Sequence, residues 1–268
     1  MGRIHDALER AEQEREEQGG VPGGPAVPEE LRADSLLAAK HSRRSELLRS
    51  VRRSKVMLTQ SSSAVTDEYR TLRGRIQSLR RTREIHTLVV TSARPGDGKS
   101  TTAANLAMSF GLERENRTCL IDCDLRTPTV HRSFAQLPDV GLAEILDADA
   151  KLEEGLVHVP DTRLWVLPVR ALPANPSELL ASAAMLNLLD DLRARFETIV
   201  IDSPPVLGLP DAMELVDRCD AALFVVHAGR TQQRDVEASL QTIDASKVIG
   251  TLLNRSTEVV RPYGYSRS

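Results

Sequence analysis

The chain has 268 residues, of which 41% are hydrophobic, and this content is enough for one sizeable core. A formal net charge of -3 gives no overall reason to expect a nucleic-acid partner. Because no apolar run approaches the roughly 18 to 20 residues of a membrane helix and no signal-peptide core follows Met1, we expect a cytoplasmic protein.

The first 60 residues are interpreted as an extension that precedes the main domain. Residues 3–18 place apolar side chains at helical spacing among many charges, which predicts a short amphipathic docking helix. The glycine- and proline-rich run at residues 19–25 indicates a flexible tether. Residues 40–55 are strongly basic, and two interpretations stay open for them: contact with a membrane surface or acidic partner, and a solvated linker.

From residue 63 onward, helical and strand-like segments alternate. The hydrophobic pattern predicts helices over residues 63–81, 101–113, 141–146, 176–195, 210–217 and 232–245. It predicts strands over residues 87–92, 118–122, 164–168, 198–202, 221–227 and 248–254. This alternation is typical of an α/β fold with a doubly wound, mostly parallel sheet, helices on both faces, and ligand at the carboxyl ends of the strands. We place this domain at residues 61–257 and a tail at 258–268.

A phosphate-binding loop lies between the first predicted strand and the helix after it. Residues 93–100 read Ala-Arg-Pro-Gly-Asp-Gly-Lys-Ser, although the usual pattern begins with glycine where this chain has Ala93. Such a loop directs its N–H groups and the positive end of the helix dipole at phosphate. The sequence therefore predicts a P-loop NTPase whose nucleotide contacts are Pro95, Gly96, Asp97, Gly98, Lys99, Ser100 and Thr101. Among these, Lys99 adds a full charge and Ser100 is the natural Mg²⁺ ligand.

Acidic residues follow two of the other predicted strands. Asp122 and Asp124 close the strand at 118–122, and Asp202 closes the strand at 198–202. A single aspartate after a strand is more often a turn former or a helix cap. Because the carboxyl ends of parallel strands meet at one edge, three acids there can hold Mg²⁺ and accept a proton, as phosphoryl transfer requires.

These segments resemble the motifs of a known family, the bacterial tyrosine kinases that control exopolysaccharide and capsule synthesis. Residues 91–102, 121–126 and 200–206 are similar to its Walker A, Walker A′ and Walker B motifs. Asp67, Arg70 and Arg73 resemble the acid and two arginines of its oligomerisation helix, where glutamate is usual at the first position. The opening residues 2–8 are similar to the start of stand-alone members of the family.

The resemblance implies a Mg-ATP site with a role for each matching residue. Lys99 would bind the phosphates, and the metal would be held by Ser100, Asp124 and, through water, Asp202. Asp122 would be the base toward a tyrosine hydroxyl. The catalytic set implied in this way is Lys99, Asp122, Asp124 and Asp202.

The resemblance also implies a substrate and partners. Members of the family phosphorylate tyrosines of their own C-terminal tails, usually between subunits of a ring, and a membrane protein of the chain-length-regulator type activates them. The tail of this chain offers Tyr263 and Tyr265. Tyr263 lies nine residues after the last predicted strand, and nine residues can extend about 30 Å. The protein would then be a cytoplasmic autokinase recruited to the inner face of the cell membrane.

Two other functional classes stay open. A positioning or partitioning ATPase shares this sheet and its Walker motifs, but it carries a signature lysine and then glycine where this chain has Arg94 and Pro95. A catalytically idle scaffold of a polysaccharide assembly complex would keep the fold without turnover.

The smaller features are assigned to packing. Cys119, Cys123 and Cys219 are expected to be buried thiols, and Trp165 is expected to be a core or site-edge residue.

Overall fold

The structure is a computed structural model that describes residues 64–134 and 138–256 of the chain. The predicted docking helix, the basic stretch at residues 40–55 and the tail with Tyr263 and Tyr265 lie outside the described residues. Within the described ranges, no helix is both long enough and apolar enough to cross a membrane.

Helices and strands alternate along the described chain as the sequence predicts. The α-helices are α1 (Ala64–Leu79), α2 (Lys99–Gly111), α3 (Leu142–Leu146), α4 (Leu152–Gly155), α5 (Pro176–Ala181), α6 (Ala183–Arg195), α7 (Asp211–Arg218) and α8 (Gln233–Thr242). The strands are β1 (Thr87–Ser92), β2 (Thr118–Asp122), β3 (Val157–His158), β4 (Leu164–Leu167), β5 (Thr198–Asp202), β6 (Ala221–His227) and β7 (Val248–Asn254). Short 3₁₀ turns cover Val130–Ser133 and Ala245–Lys247.

The strands form one sheet in the order β3-β4-β2-β5-β1-β6-β7. All neighbouring pairs are parallel except β3 and β4. The chain moves from β1 to β2 on one side and later to β6 on the other, so the strand order reverses at β1. Such a reversal opens a crevice at the carboxyl end of the strand, and the predicted phosphate-binding loop begins there. The prediction of a doubly wound, mostly parallel sheet is confirmed.

Each face of the sheet has its own hydrophobic core because successive strand residues point to opposite sides. In β1, Val89 faces the core that α3 to α8 cover, whereas Leu88 and Val90 face the core that α1 and α2 cover. The central strands are buried on both faces, which explains why their sequences are continuous apolar runs.

Three segments differ from the sequence prediction, and one of them is the short helix α4, which was not predicted. The helix predicted over residues 176–195 is two helices, because Ser182 takes an extended conformation with ψ 161° and its hydroxyl accepts the Met185 N–H at 3.2 Å. The strand β3 was not predicted, since two residues are too few to show a pattern. It lies antiparallel at the sheet edge, where the His158 ring contacts the Trp165 ring at a tilt of 49°, with ring centroids 4.7 Å apart.

The three cysteines of the chain are buried, as predicted. Cys119 lies within β2, Cys123 follows that strand, and Cys219 follows α7; all three belong to the core beneath α3 to α8. Burial raises the pKa of each thiol, and the pKa of Cys219 rises to about 12. These thiols are therefore protonated packing groups in the folded chain.

Two helical glycines should respond in opposite directions to the same substitution. Gly74 is exposed within α1 and an added Cβ would meet nothing within 4 Å, so Gly74→Ala should raise the free energy of unfolding by about 0.5–1 kcal/mol. At Gly111 the Cβ would lie 2.7 Å from the Leu164 Cβ and 3.1 Å from the Leu164 backbone nitrogen, so Gly111→Ala should cost about 1–3 kcal/mol. Urea unfolding measures both changes; equal effects of the two substitutions would contradict this packing.

Candidate nucleotide-binding site

The phosphate-binding loop runs from the end of β1 to the first turn of α2. Gly96 and Gly98 have φ of 85° and 104°, a region that favours glycine. Gly98 is also the N-cap of α2, so the loop leads directly into the positive end of the helix. Ala93 is fully buried and its φ is not positive, which explains why alanine serves where the common pattern has glycine.

Both loop glycines are covered by side chains from residues that lie much later in the chain. A Cβ on Gly98 would lie 1.9 Å from the Asn254 Nδ2, and a Cβ on Gly96 would lie 3.1 Å from an Arg230 guanidinium nitrogen. Asn254 ends β7, and Arg230 lies in the connection between β6 and α8. The loop therefore requires glycine for close approach as well as for its backbone conformation.

Asp97 holds the loop to its surroundings. Its carboxylate accepts the Arg94 N–H at 3.0 Å and the Thr231 hydroxyl at 2.9 Å, while its backbone oxygen accepts the Asn254 amide at 2.9 Å. The side chain is 1% exposed. Its carboxylate is thus used within the protein, and contact of Asp97 with a nucleotide would come from the backbone.

Thr231→Val should test this support. The change removes a hydroxyl that donates to Asp97 and accepts the His227 N–H at 3.0 Å. Because a buried carboxylate loses a donor, we expect a loss of about 1–3 kcal/mol in the free energy of unfolding, with weaker nucleotide binding. The control is Thr242→Val, whose exposed hydroxyl donates only within α8, to the Ala238 oxygen at 2.7 Å. Calorimetric melting and nucleotide titration measure the effects, and equal results for the two variants would refute the role given to Thr231.

Arg94 is bound within the chain. Its Nε and one terminal nitrogen donate to the two oxygens of Asp235 on α8, at 2.6 and 3.1 Å. The Arg94 side chain is 56% exposed and that of Asp235 is 10% exposed. The hydrogen bonds from Arg94 lower the pKa of the Asp235 carboxyl. This two-point pair connects the beginning of the loop to α8.

Lys99 and Asp124 form a buried ion pair. The Lys99 Nζ lies 3.1 Å from the Asp124 Oδ2, and their side chains are 10% and 2% exposed. Asp124 Oδ1 also accepts the Thr127 N–H at 2.9 Å. The sequence placed these two residues on different segments of one site, and the structure brings them into direct contact.

Asp122 is held by three backbone donors. Its Oδ1 accepts the Asp124 N–H at 3.2 Å, and its Oδ2 accepts the N–H groups of Thr129 and Val130 at 3.1 and 3.0 Å. Burial raises the pKa of Asp122 to about 6, even though these hydrogen bonds lower it. The carboxylate is therefore fixed in orientation. Its pKa is close to the value that suits proton transfer near neutral pH.

Asp202 lies opposite Asp122 in the register of β5 and β2. Both of its carboxylate oxygens are buried without a well-formed hydrogen bond to any described residue. Burial raises the pKa of Asp202 well above its ordinary value and the Asp122 charge adds to this, while Lys99 and the nearby Ser100 hydroxyl lower it. The Asp202 oxygens therefore keep acceptor capacity for a further ligand.

The donor set fits Mg²⁺. Carboxylate and hydroxyl oxygens are its preferred ligands, and Asp202, Asp124 and Ser100 supply them beside the loop. In residues 64–134 and 138–256, no group of three or more His, Cys, Asp or Glu side chains is arranged to hold a metal ion. In nucleotide sites Mg²⁺ usually takes one or two carboxylates and completes its shell with water and phosphate.

The two arginines of the predicted oligomerisation motif are used differently from each other. Arg70 and Asp67 pair at 3.1 Å on the surface, with side chains 50% and 73% exposed. Arg73 instead donates to the Ser109 carbonyl oxygen at 2.5 Å and lies 3.2 Å from Glu113, so it packs α1 against α2 and the segment after it. The surface pair thus remains available for contact with another chain, whereas Arg73 stabilises the fold of its own chain.

A second network beyond the carboxylate cluster was not predicted. Arg126 donates to Asp211 at 2.9 Å and to the Ser177 hydroxyl at 2.9 Å, and this hydroxyl donates to Asp211 at 2.5 Å. It joins the segment after β2 to the beginnings of α5 and α7.

The residues that surround the loop from β6, α8 and β7 were also missed. They are Thr231, Asp235, Asn254 and Arg230. Thr231 and Asn254 lie at the carboxyl ends of β6 and β7, the edge where the acids were expected, so their positions in the sequence are the signal that could have identified them.

The site and its sheet have counterparts in known proteins. A family model described as an AAA domain matches residues 85–255. The tyrosine-protein kinase YwqD of Bacillus subtilis (strain 168) is 33% identical over 232 residues, which are 85% of this chain and 96% of that protein. The succinoglycan biosynthesis transport protein ExoP of Rhizobium meliloti (strain 1021) is 35% identical over 178 residues, which are 65% of this chain and 22% of that protein.

Solved structures show the same arrangement of strands and helices. The chimerical protein CapA2B2 is 30% identical with a TM-score of 0.71, covering 80% of this chain and 91% of its own. The cell division ATPase MinD of Pyrococcus furiosus is 22% identical with a TM-score of 0.50, covering 66% of this chain and 76% of its own. The second likeness shows a shared fold alone.

Proposed function

The chain belongs to the family of bacterial tyrosine-protein kinases, and from this membership we propose that it uses Mg-ATP to phosphorylate tyrosines of its own C-terminal tail. One observation carries the proposal: a buried lysine lies among three buried carboxylates beside a phosphate-binding loop. Lys99 is the cation for the phosphates, and the acids Asp122, Asp124 and Asp202 serve the metal and the proton. Transfer of a phosphoryl group to a hydroxyl needs these parts.

Each residue has a distinct role in this mechanism. The loop N–H groups and Lys99 bind the phosphates of ATP and orient the terminal one for in-line attack. Asp122 accepts the proton of the attacking tyrosine hydroxyl. The backbone N–H groups that donate to its carboxylate fix the orientation of this base. Ser100, Asp124 and Asp202 would hold Mg²⁺, which would neutralise phosphate charge when bound.

The acceptors follow from the small number of tyrosines. The chain contains three, Tyr69, Tyr263 and Tyr265. Tyr69 is 8% exposed in α1, and burial raises the pKa of its hydroxyl. Since this side chain cannot enter an active site without unfolding of α1, the tail tyrosines are the proposed acceptors.

The origin of the tail supports this proposal. Asn254, the last residue of β7, donates to the loop at Asp97, so the chain leaves the domain beside the nucleotide site. Tyr263 follows nine residues later, and such a segment spans at most about 30 Å. The tail is therefore long enough to reach the site of its own chain or of a neighbouring subunit.

The ATPase switch is less well supported than the kinase. In that class a lysine near the beginning of the loop reaches the nucleotide of a partner subunit. Here Arg94 has that position, and its Nε and one terminal nitrogen both donate to Asp235. A guanidinium fixed on its own α8 is poorly suited to such a contact.

The cellular role follows from the relatives. ExoP is named as a transport protein of succinoglycan biosynthesis, and we assign this chain to regulation of exopolysaccharide or capsule synthesis or export. It would act at the cytoplasmic face of the membrane with a membrane activator of the chain-length-regulator type, and residues 40–55 are candidates for membrane contact. The surface pair of Asp67 and Arg70 is a candidate contact of a homo-oligomeric ring.

Mass spectrometry after incubation with Mg-ATP tests the proposed function. Wild type should acquire phosphate on the tail, and a Tyr263→Phe/Tyr265→Phe double variant should acquire none. Tyr69→Phe is the control and should be modified like wild type. ATP hydrolysis without phosphotyrosine, even with the membrane activator present, would support the ATPase switch, and the absence of both activities would support the scaffold.

A further inference from the structure

Arg230 is a cation beside the phosphate-binding loop that the proposed mechanism does not use. Its two terminal nitrogens lie 3.1 and 3.6 Å, and its Cζ 3.7 Å, from the position that a Cβ on Gly96 would take. These three atoms of the guanidinium are thus close to one point, so the group packs directly against the glycine. The absence of a side chain at Gly96 makes room for it.

The charge of Arg230 is not neutralised within the described chain. Lys99 is paired with Asp124 and Arg94 with Asp235. By contrast, Arg230 is exposed and has no ion pair or side-chain hydrogen bond in residues 64–134 and 138–256. Of these three cations at the loop, it is the one whose full charge is available to an anion.

The backbone that carries Arg230 is held in place. Gly229 has φ 71°, and the N–H groups of Arg230 and Thr231 donate to the His227 oxygen at 3.1 and 3.0 Å. The Thr231 hydroxyl then bonds to Asp97 of the loop at 2.9 Å. This turn fixes the base of the arginine relative to the loop, which reduces the entropy lost when the side chain binds a ligand.

We propose that Arg230 binds the phosphate groups of the nucleotide. A phosphate oxygen that accepts the Gly96 N–H would lie about 2.9 Å from that nitrogen. Because the Arg230 guanidinium packs against the same residue, the bound phosphate and the guanidinium would be neighbours. The forked donors of arginine suit phosphate oxygens. The inference rests on the proposed use of ATP, and it adds a cation from the β6–α8 connection to Lys99.

Calorimetric titration of the full chain with Mg-ADP and with a non-hydrolysable Mg-ATP analogue tests this inference. Arg230→Met keeps an unbranched side chain of similar reach without charge, and it should weaken binding by about 10-fold or more. Arg230→Lys should recover part of that loss. Arg234→Met is the matched control, since Arg234 is 78% exposed with a described contact only to Asp235 at 3.9 Å, and it should bind like wild type.

The outcomes separate this inference from the proposed function. If wild type binds neither nucleotide, the proposed function fails. If wild type binds and Arg230→Met binds within twofold of it, Arg230 has no phosphate contact and the inference fails. Equal losses in the methionine and lysine variants would assign the effect to packing on Gly96, and this also overturns the inference.

Discussion

Lys99→Met should reduce tail phosphorylation by at least about 100-fold, the cost of removing one charge-stabilising donor from a transition state. Lys99 is buried and its amine is the positive group paired with Asp124. Methionine keeps the apolar stem of the side chain but removes the charge that binds phosphate. Phosphate incorporation per chain, measured by intact mass, gives the result directly.

Lys247→Met is the matched control for this prediction. Its amine donates to the Val216 and Asp217 backbone oxygens, and it lies before β7, at the end of the sheet away from the loop. We expect kinase activity close to wild type in this variant. Circular dichroism should show that both variants keep the fold, and activity of Lys99→Met within tenfold of wild type would remove Lys99 from the site.

Gly98→Ala should abolish most nucleotide binding. The residue has φ 104°, where an alanine costs about 1–3 kcal/mol, and its Cβ would overlap the Asn254 amide. Either effect moves the N–H groups at the start of α2, and a misplacement of about 1 Å can cost about 10²-fold in a reaction that depends on positioning. Titration with Mg-ADP measures the affinity.

A second variant separates the two causes. Gly98→Ala/Asn254→Gly removes the amide that the new Cβ would meet, but it leaves the backbone strain. Because strain remains, we expect no more than partial recovery of affinity. Gly250→Ala is the control, since a Cβ there meets nothing within 4 Å and its φ is not positive. Full recovery in the double variant would show that the contact with Asn254, and not the backbone, selects glycine.

The sheet was predictable because its strands carry their own signal. β1 and β5 are uninterrupted apolar runs that end at polar residues, and their predicted bounds are those of the structure. The helix break at Ser182 was missed because alanines on either side favour a helix, although serine is itself a common N-cap. Long, periodic elements were therefore predictable, whereas a local capping choice within a helical sequence was not.

The candidate site divides in a similar way. Lys99 and Asp202 were identified because each lies at the end of a strand or within a loop of recognisable pattern. The hydrogen bond between Thr231 and Asp97 joins residues 134 positions apart, and no local pattern records such a contact. Their meeting depends on β6 lying next to β1, which only the assembled sheet supplies.

The buried cysteines make the rate of thiol alkylation a measure of how often the core opens. Since reagents attack the thiolate, and all three thiols are enclosed in one core with raised pKa values, alkylation of native protein requires that core to open. Labelling of Cys119 within β2 should then follow opening of the sheet itself. A cysteine introduced at an exposed position would be the single fast-reacting site for attaching a dye.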